Sequence, residues 1–334
     1  MILVYGRADD PPTRHTLDCL QEQDGPVVFI EQRALPYEDL SIDITSCGLG
    51  GAFLSGGRKV PLAEVTSVYA RPLEPSVHGL EAGAQQHVAR LHGLLVEWLD
   101  SAPALVVNRP RAMQGNASKP HQLQVIGAAG FTVPATLVTS DADEALRFWR
   151  THGRVIYKSI SGVRSIVREL DAESAERLPH LSSLPVQFQE YIPGVDVRVH
   201  VVGRECYAAT IESDGMDYRY AHNHGAEPRL HSTTLPGDIA ERCVTLAQAM
   251  ELPLAGIDLR VNPEGEYVCF EVNPMPAYTY FESHTDLPIG EALARLLISP
   301  ELNGEVPHGA GYRKSGTDSG SDPVHPSPSI PARL

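Results

Sequence analysis

Two short runs carry oxygen donors in alternation with apolar residues: Gly256-Ile257-Asp258-Leu259-Arg260 and Phe270-Glu271-Val272-Asn273. Asn262-Pro263-Glu264-Gly265-Glu266 between them has the composition of a turn, so the two runs read as a β-hairpin. With the loop at Pro263–Glu266, Val261 faces Tyr267 or Val268, and Asp258 falls almost opposite Glu271. Side chains alternate along a strand, so Asp258 and Arg260 share a face, as do Glu271 and Asn273. The apolar set Ile257, Leu259, Val268, Phe270 and Val272 is expected on the other face. Two carboxylates directly opposite each other destabilise a bare sheet. A divalent cation converts that repulsion into a site: hard oxygen donors suit Mg²⁺, which usually also takes substrate phosphates.

Lysine usage points to further candidates. Of the 27 Lys and Arg residues only four are lysine: Lys59, Lys119, Lys158 and Lys314. A chain that draws its positive charge from arginine keeps a lysine where a compact point charge on a flexible stem is wanted. Lys119 and Lys158 lie within ordered-looking segments, whereas Lys59 follows Gly56-Gly57-Arg58 in a loop and Lys314 falls in a tail.

The elements that must carry these residues follow from the apolar pattern. Ile2–Tyr5, Val27–Ile30, Ser67–Ala70 and Ala104–Val107 are short strand-like runs, and a helix is expected over Gly79–Leu99, which together make residues 1–108 a parallel α/β unit. Residues 109–185 read as a small α+β unit: a helix from Pro120 to Gly130, a strand Thr132–Thr139, a helix capped by Ser140-Asp141 and ending near Gly153, then strands Arg154–Lys158 and Ile166–Leu170. Residues 186–302 are strand-rich, with strands Val186–Ile192, Val195–Val202 and Tyr207–Glu212, a helix Asp238–Glu251, the hairpin, and a closing helix Ile289–Ile298. Residues 303–334 are Gly/Ser/Pro-rich and are expected to be disordered.

This order of units, with Lys119, Lys158, Gln189-Glu190-Tyr191-Ile192, Asp196, Asp258 and Glu271-Val272-Asn273-Pro274 in sequence, resembles the ATP-grasp ligases, in particular the branch of ribosomal-protein glutamate ligases and ring-forming graspetide ligases. The likeness is good over about 105–300 and loose over the first hundred residues. It implies an ATP-grasp fold preceded by an N-terminal parallel α/β domain, with ATP between the second and third units. It gives Asp258, Glu271 and Asn273 to two Mg²⁺ ions, with Mn²⁺ as an alternative, and Lys119 and Lys158 to ATP phosphates. The loop Ser161-Gly162-Val163-Arg164 takes the place of a glycine-rich phosphate cover, with the Arg164 fork replacing part of the cradle. Gln189, Glu190, Tyr191 and Ile192 become the adenine-binding hinge, and Asp196 the acceptor of ribose hydroxyls. Arg198 and Arg260 are expected near the reacting phosphate or carboxylate, and Arg219 on the substrate carboxylate, where guanidinium groups stabilise charge on a transferring phosphoryl group.

The activity implied is carboxylate–amine ligation through an acyl phosphate, on an amino acid or small peptide. The alternatives are a peptide-modifying ligase, to which Val68-Tyr69-Ala70-Arg71-Pro72 bears a faint likeness, and a nucleotide-binding regulator without turnover. Dimers are frequent among such ligases, so a homodimer is one expected assembly. Other classes find little support. A net charge of −15 argues against a phosphate-backbone partner. No apolar run approaches membrane-spanning length, and the five scattered cysteines without a C-x-x-C pair read as reduced thiols of a cytoplasmic protein. His222 and His224 lack a third ligand at zinc spacing and read as a loop or substrate contact. There is no G-x-G-x-x-G after the first strand and no G-x-S-x-G elbow. Tyr278, Tyr280, Phe281, Glu282 and His284 form an aromatic, acidic run where the glutamate ligases are small and glycine-rich, which suggests a different acceptor.

Overall fold

The computed structural model describes residues 1–45, 48–75, 77–159, 167–212 and 228–303. The N-terminal unit comprises β1 (Ile2–Gly6), α1 (Pro11–Glu22), β2 (Val27–Glu31), β3 (Asp39–Thr45), β4 (Gly48–Ser55), β5 (Arg58–Pro61), β6 (Ser67–Ala70), α2 (Ala82–Ser101) and β7 (Leu105–Val107). Strands β2-β1-β6-β7 pair in that order, all parallel. Continuous burial along β1 and β6 fits a parallel sheet covered on both faces. A second, antiparallel sheet, β3-β4-β5, was not anticipated. Its signal was Gly56-Gly57, both at positive φ between β4 and β5, as a tight hairpin turn requires.

The chain continues with α3 (Pro110–Met113), α4 (Lys119–Ala128), β8 (Thr136–Thr139), α5 (Ala142–His152), β9 (Val155–Ser159), β10 (Arg168–Glu169), α6 (Ala172–Ala175) and β11 (Val186–Glu190). Asp141 caps α5 by accepting from the N–H groups of Asp143 and Glu144. The sheet order is β10-β9-β11-β8. β11 pairs antiparallel with both β8 and β9, so this sheet runs on to Glu190 and the crossing to the next sheet falls at Tyr191–Gly194 rather than at residue 185. The strand expected over Thr132–Thr139 begins only at Thr136. Pro134 has no N–H to give a ladder, and Thr132 instead makes a single bridge to Val268.

The last section contains β12 (Val195–Val202), β13 (Glu205–Glu212), β14 (Arg229–Thr233), α7 (Gly237–Ala249), β15 (Leu254–Val261), β16 (Tyr267–Asn273), α8 (Tyr278–Thr285) and α9 (Ile289–Ile298). The five strands form an antiparallel sheet in the order β14-β13-β12-β15-β16. Its back face (Val197, Val199, Val201, Ile257, Leu259, Val272) packs on α7 through Ile239, Cys243 and Leu246, and on α4 through Ile126. Thus α4, although it lies in the stretch 109–185, shares the core of the C-terminal sheet. Tyr278 and Phe281 of α8 with Leu293 and Leu297 of α9 fill the space between the C-terminal sheet and the N-terminal unit. These two aromatics are core residues; of the run expected to meet an acceptor, Tyr280 and His284 carry the exposed rings.

Two buried side-chain amides align the units. Gln122 on α4 donates to the carbonyl of Val272 (2.9 Å) and accepts from its N–H (3.1 Å), acting as one more ladder rung on the outer edge of β16. Asn108 does the same for Leu254, at 2.7 and 3.2 Å, and also donates to the carbonyl of Pro274. Arg71, after β6, forms a fork with Asp10 (2.7 and 3.2 Å) and donates to the carbonyl of Pro276 at 3.2 Å. The end of β16 is therefore held from three directions.

Candidate active site

In the ladder between β15 and β16, Val261 faces Tyr267 and Asp258 faces Glu271. The register shifts between Asp258 and Leu259, where Phe270 is the extra residue of a β-bulge. The bulge brings Phe270 round to the cleft: its ring lies 5.4 Å from the guanidinium of Arg260 and lines the same pocket as Asp258 and Glu271. The expectation that Phe270 would join the apolar back face is thereby corrected.

Cations already meet the two carboxylates. Lys119, the first residue of α4, places Nζ 3.0 Å from Glu271 Oε2, and Lys158 of β9 places its own 3.9 Å from the same oxygen. Arg198 of β12, directly across the ladder from Asp258, donates to it at 2.6 Å. These side chains are largely buried, so the charges interact in a medium less screening than water. Gly256 makes the arginine's path possible, because a Cβ there would collide with the Arg198 guanidinium and approach Pro276 Cβ to 2.9 Å. Asn273, opposite Gly256, accepts from the N–H of Met275 at 2.9 Å, which fixes its amide at the rigid Pro274–Pro276 exit.

Arg260 is differently engaged. It forks onto Asp196, at 2.7 and 3.0 Å, and donates to the carbonyl of Ile192 at 2.8 Å. Instead of reaching the carboxylate pair, it braces the strand crossing. The remaining hinge residues are distributed as follows. Gln189 is buried and donates to Thr136 Oγ1 at 3.0 Å. The Glu190 carboxylate accepts from the N–H of Ala135 at 3.2 Å, tying β11 to the start of β8. The Tyr191 ring lies under Arg154, 3.7 Å from the guanidinium carbon. Ser161, Gly162, Arg164 and Arg219, with His222 and His224, lie outside the described residues, as do residues 304–334.

Together these groups border one cleft between the central and C-terminal sheets. Its apolar wall side chains are Ile156, Val167, Ile211 and Phe270, with Gln189, Tyr191, Asp196 and Arg260 towards the hinge and Lys158, Asp258 and Glu271 in the same lining. The apolar wall residues were not singled out from sequence; strand alternation in β9 and β13 was the available signal. Behind the site, burial pushes the Cys269 thiol well above its usual range, and burial beside Arg198 holds the His200 imidazole neutral. Neither supplies a charged ligand.

The donor set fits a hard cation. Asp258 and Glu271 offer carboxylate oxygens on facing strand positions and Asn273 an amide oxygen, the chemistry Mg²⁺ accepts. Among the described residues no group of three or more His, Cys, Asp or Glu could hold a metal. Two carboxylates form half a coordination shell, and the rest must come from water and phosphate oxygens. Among the described residues no helix is long and apolar enough to cross a membrane.

Comparison with known proteins identifies the family and the fold. The tetrahydromethanopterin:alpha-L-glutamate ligase of Methanosarcina acetivorans is 28% identical over 204 residues, covering 55% of this chain and 61% of the relative. The chain thus spans less than two thirds of the curated relatives it matches. Among solved structures, the Chryseobacterium gregarium RiPP-associated ATP-grasp ligase in complex with ADP and a leader and core peptide superposes with a TM-score of 0.77 at 24% identity, over 90% of this chain and 96% of that one. The ATP-grasp ligase PsnB complexed with minimal precursor gives 0.75 at 26% identity, over 90% and 98%. The RimK-like ATP-grasp domain is matched across residues 117–297, more than half of the sequence, and the chain belongs to that family.

Proposed function

We propose that this protein is an ATP-dependent carboxylate–amine ligase that modifies a peptide, joining one of its carboxylates to an amine through an acyl phosphate. The observation that carries the reading is the similarity to PsnB, which extends through the N-terminal unit to almost the whole of both chains and was found in a complex with precursor. Similarity to the curated relatives extends over little more than half of this chain. The peptide alternative is therefore preferred to a free amino acid acceptor.

In this reading the nucleotide lies in the cleft between the two sheets, its base against the apolar walls and its phosphates towards Lys119 and Lys158. Mg²⁺, present with ADP in another PsnB complex, supplies Lewis-acid neutralisation of the phosphate oxygens when bound, and Asp258, Glu271 and Asn273 would hold it. Arg198, beside Asp258, adds a fixed positive charge where negative charge develops. The lysines orient the phosphates, and the cleft walls keep water from the acyl phosphate until the amine arrives. Ser161, Gly162, Arg164 and Arg219 remain proposed phosphate and carboxylate contacts. The four described cysteines carry no disulfide, which supports a reducing, cytoplasmic setting.

The test is co-expression with a short acidic open reading frame adjacent to the gene, read by mass spectrometry. Loss of one water per new bond supports intramolecular ligation. A gain of one amino-acid residue per bond would favour glutamate-type addition, the reaction named for the Methanosarcina relative. Mg²⁺-dependent ADP release with free amino acids and none with peptide would overturn the peptide reading.

A further inference from the structure

The cleft contains a polar arrangement for which the reaction has no use at the metal centre: Arg260 with both nitrogens of its fork on Asp196. Its third nitrogen bonds the carbonyl of Ile192, so one side chain ties the end of β15 to both ends of the 191–194 crossing. Gly194 sits at φ +145°, where a Cβ would collide with the carbonyl of Val261 and approach Arg260 Cγ to 3.1 Å. The crossing is thus pressed flat against β15. From the central sheet, Arg154 grips the same segment: it stacks on Tyr191, accepts from the Tyr191 N–H at 3.0 Å through its carbonyl, and is itself forked onto Glu169 at 2.9 and 2.8 Å. Arg260 lies 5.8 Å from the same Tyr191 ring. An arginine from each sheet therefore braces the crossing.

We infer that Arg260 is a positioning residue for nucleotide binding, which acts through Asp196 by fixing that carboxylate towards the ribose hydroxyls. The inference rests on the nucleotide reading of the cleft. A bidentate guanidinium fork is planar and directional, so it sets the rotation of the carboxylate as well as its place. Each Asp196 oxygen gives one lone pair to the fork and retains another, and those remaining lone pairs are directed away from Arg260. They diverge to opposite sides of the carboxylate, so one of them accepts an O–H of a vicinal diol. Without the fork, Asp196 would be free to rotate and to draw in water, and the diol would lose an oriented acceptor while the phosphates kept theirs.

Calorimetric titration with Mg²⁺-ADP and with Mg²⁺-2′,3′-dideoxy-ADP isolates this role, because only the first carries the diol. Wild-type protein should prefer ADP by roughly tenfold or more, the usual worth of hydrogen bonds to a charged acceptor. In Arg260→Gln the preference should fall to near unity, with dideoxy-ADP affinity changed by less than about threefold. Asp196→Asn should also lower it, and the double variant should add nothing further. Arg260→Lys, which keeps the charge without the fork, should recover only part of the preference. Equal loss of affinity for both nucleotides in Arg260→Gln would show general support of the hinge and overturn the inference, as would an unchanged ratio. Failure of wild-type protein to bind ADP at all would overturn the nucleotide reading itself.

Discussion

Replacing Lys119 by methionine should have opposite effects on the metal and on the nucleotide. Glu271 has one ammonium at 3.0 Å and a second at 3.9 Å, so an arriving Mg²⁺ must compete with both. Unit charges about 4 Å apart are worth about 4 kcal/mol at an effective dielectric of about 20. The side chains here are 15% and 20% exposed, and partial hydration with the regained freedom of the lysine stem offsets much of that. A net competition of about 1–3 kcal/mol remains, so Lys119→Met should bind Mg²⁺ alone roughly 5- to 150-fold more tightly than wild type. The same substitution removes a proposed phosphate contact and should weaken ADP. Because binding linkages are reciprocal, wild-type protein should show strong mutual enhancement of Mg²⁺ and ADP, and the variant less. Calorimetric titration of Mg²⁺ with and without saturating ADP measures all of these quantities. If Lys119→Met bound Mg²⁺ alone no better than wild type, the idea that lysines shield the carboxylates until phosphates draw them away would be wrong.

Other substitutions probe the frame around the site. Gly256→Ala should displace Arg198 from Asp258, costing about 1–3 kcal/mol of stability by overpacking and abolishing ADP release with substrate, as followed by urea unfolding and a coupled assay. Gln122→Leu should destabilise by about 2–3 kcal/mol, since it leaves the buried N–H and carbonyl of Val272 unpaired on the strand that carries Glu271; equal urea midpoints for variant and wild type would count against this role. His200 is fully buried with neither ring nitrogen hydrogen-bonded, and its pKa is lowered. The unfolded chain takes up a proton below about pH 6.5 that the folded imidazole refuses, so unfolding is favoured as pH falls through that value. His200→Leu should remove about 1 kcal/mol of the stability lost between pH 7.5 and 5.5.

Why some of this was legible and some was not follows from the range of the forces involved. Strand alternation and the Asn262–Glu266 turn act over a few residues, and they were enough to set Asp258 against Glu271. The scarcity of lysine singled out two side chains from distant segments, and α4 and β9 bring both to one oxygen of Glu271. The bulge at Phe270 escaped because its cause is not local. It depends on a cleft into which the ring can turn and on Arg260 lying across it, and neither is a property of the hairpin. The assignment of Arg260 suffered in the same way. Its position two residues after Asp258 places it on the correct face, but the residues it meets, Asp196 and Ile192, are fixed by the pairing of β12 with β15.

The same distinction explains how the site is built. Its charged groups come from four elements, α4, β9, β12 and the β15–β16 hairpin, and none of these alone could keep two carboxylates face to face. Removing one member of these ion pairs takes compensation from a largely buried charge, which costs more than the pair itself contributes. The frame must therefore be stiff where the charges converge, and the side chains that stiffen it are neutral: Gln122 and Asn108 complete backbone ladders at the end of the hairpin without adding charge to it. In the proposed reaction, long, flexible lysine stems could leave Glu271 and follow phosphates without moving that frame, whereas the arginines at Asp258 and Asp196 carry planar guanidinium groups suited to staying where they are. Arginine predominates in this chain, and its retention of lysine at 119 and 158 suits the proposed site, in which two cations stay fixed and two move with phosphates.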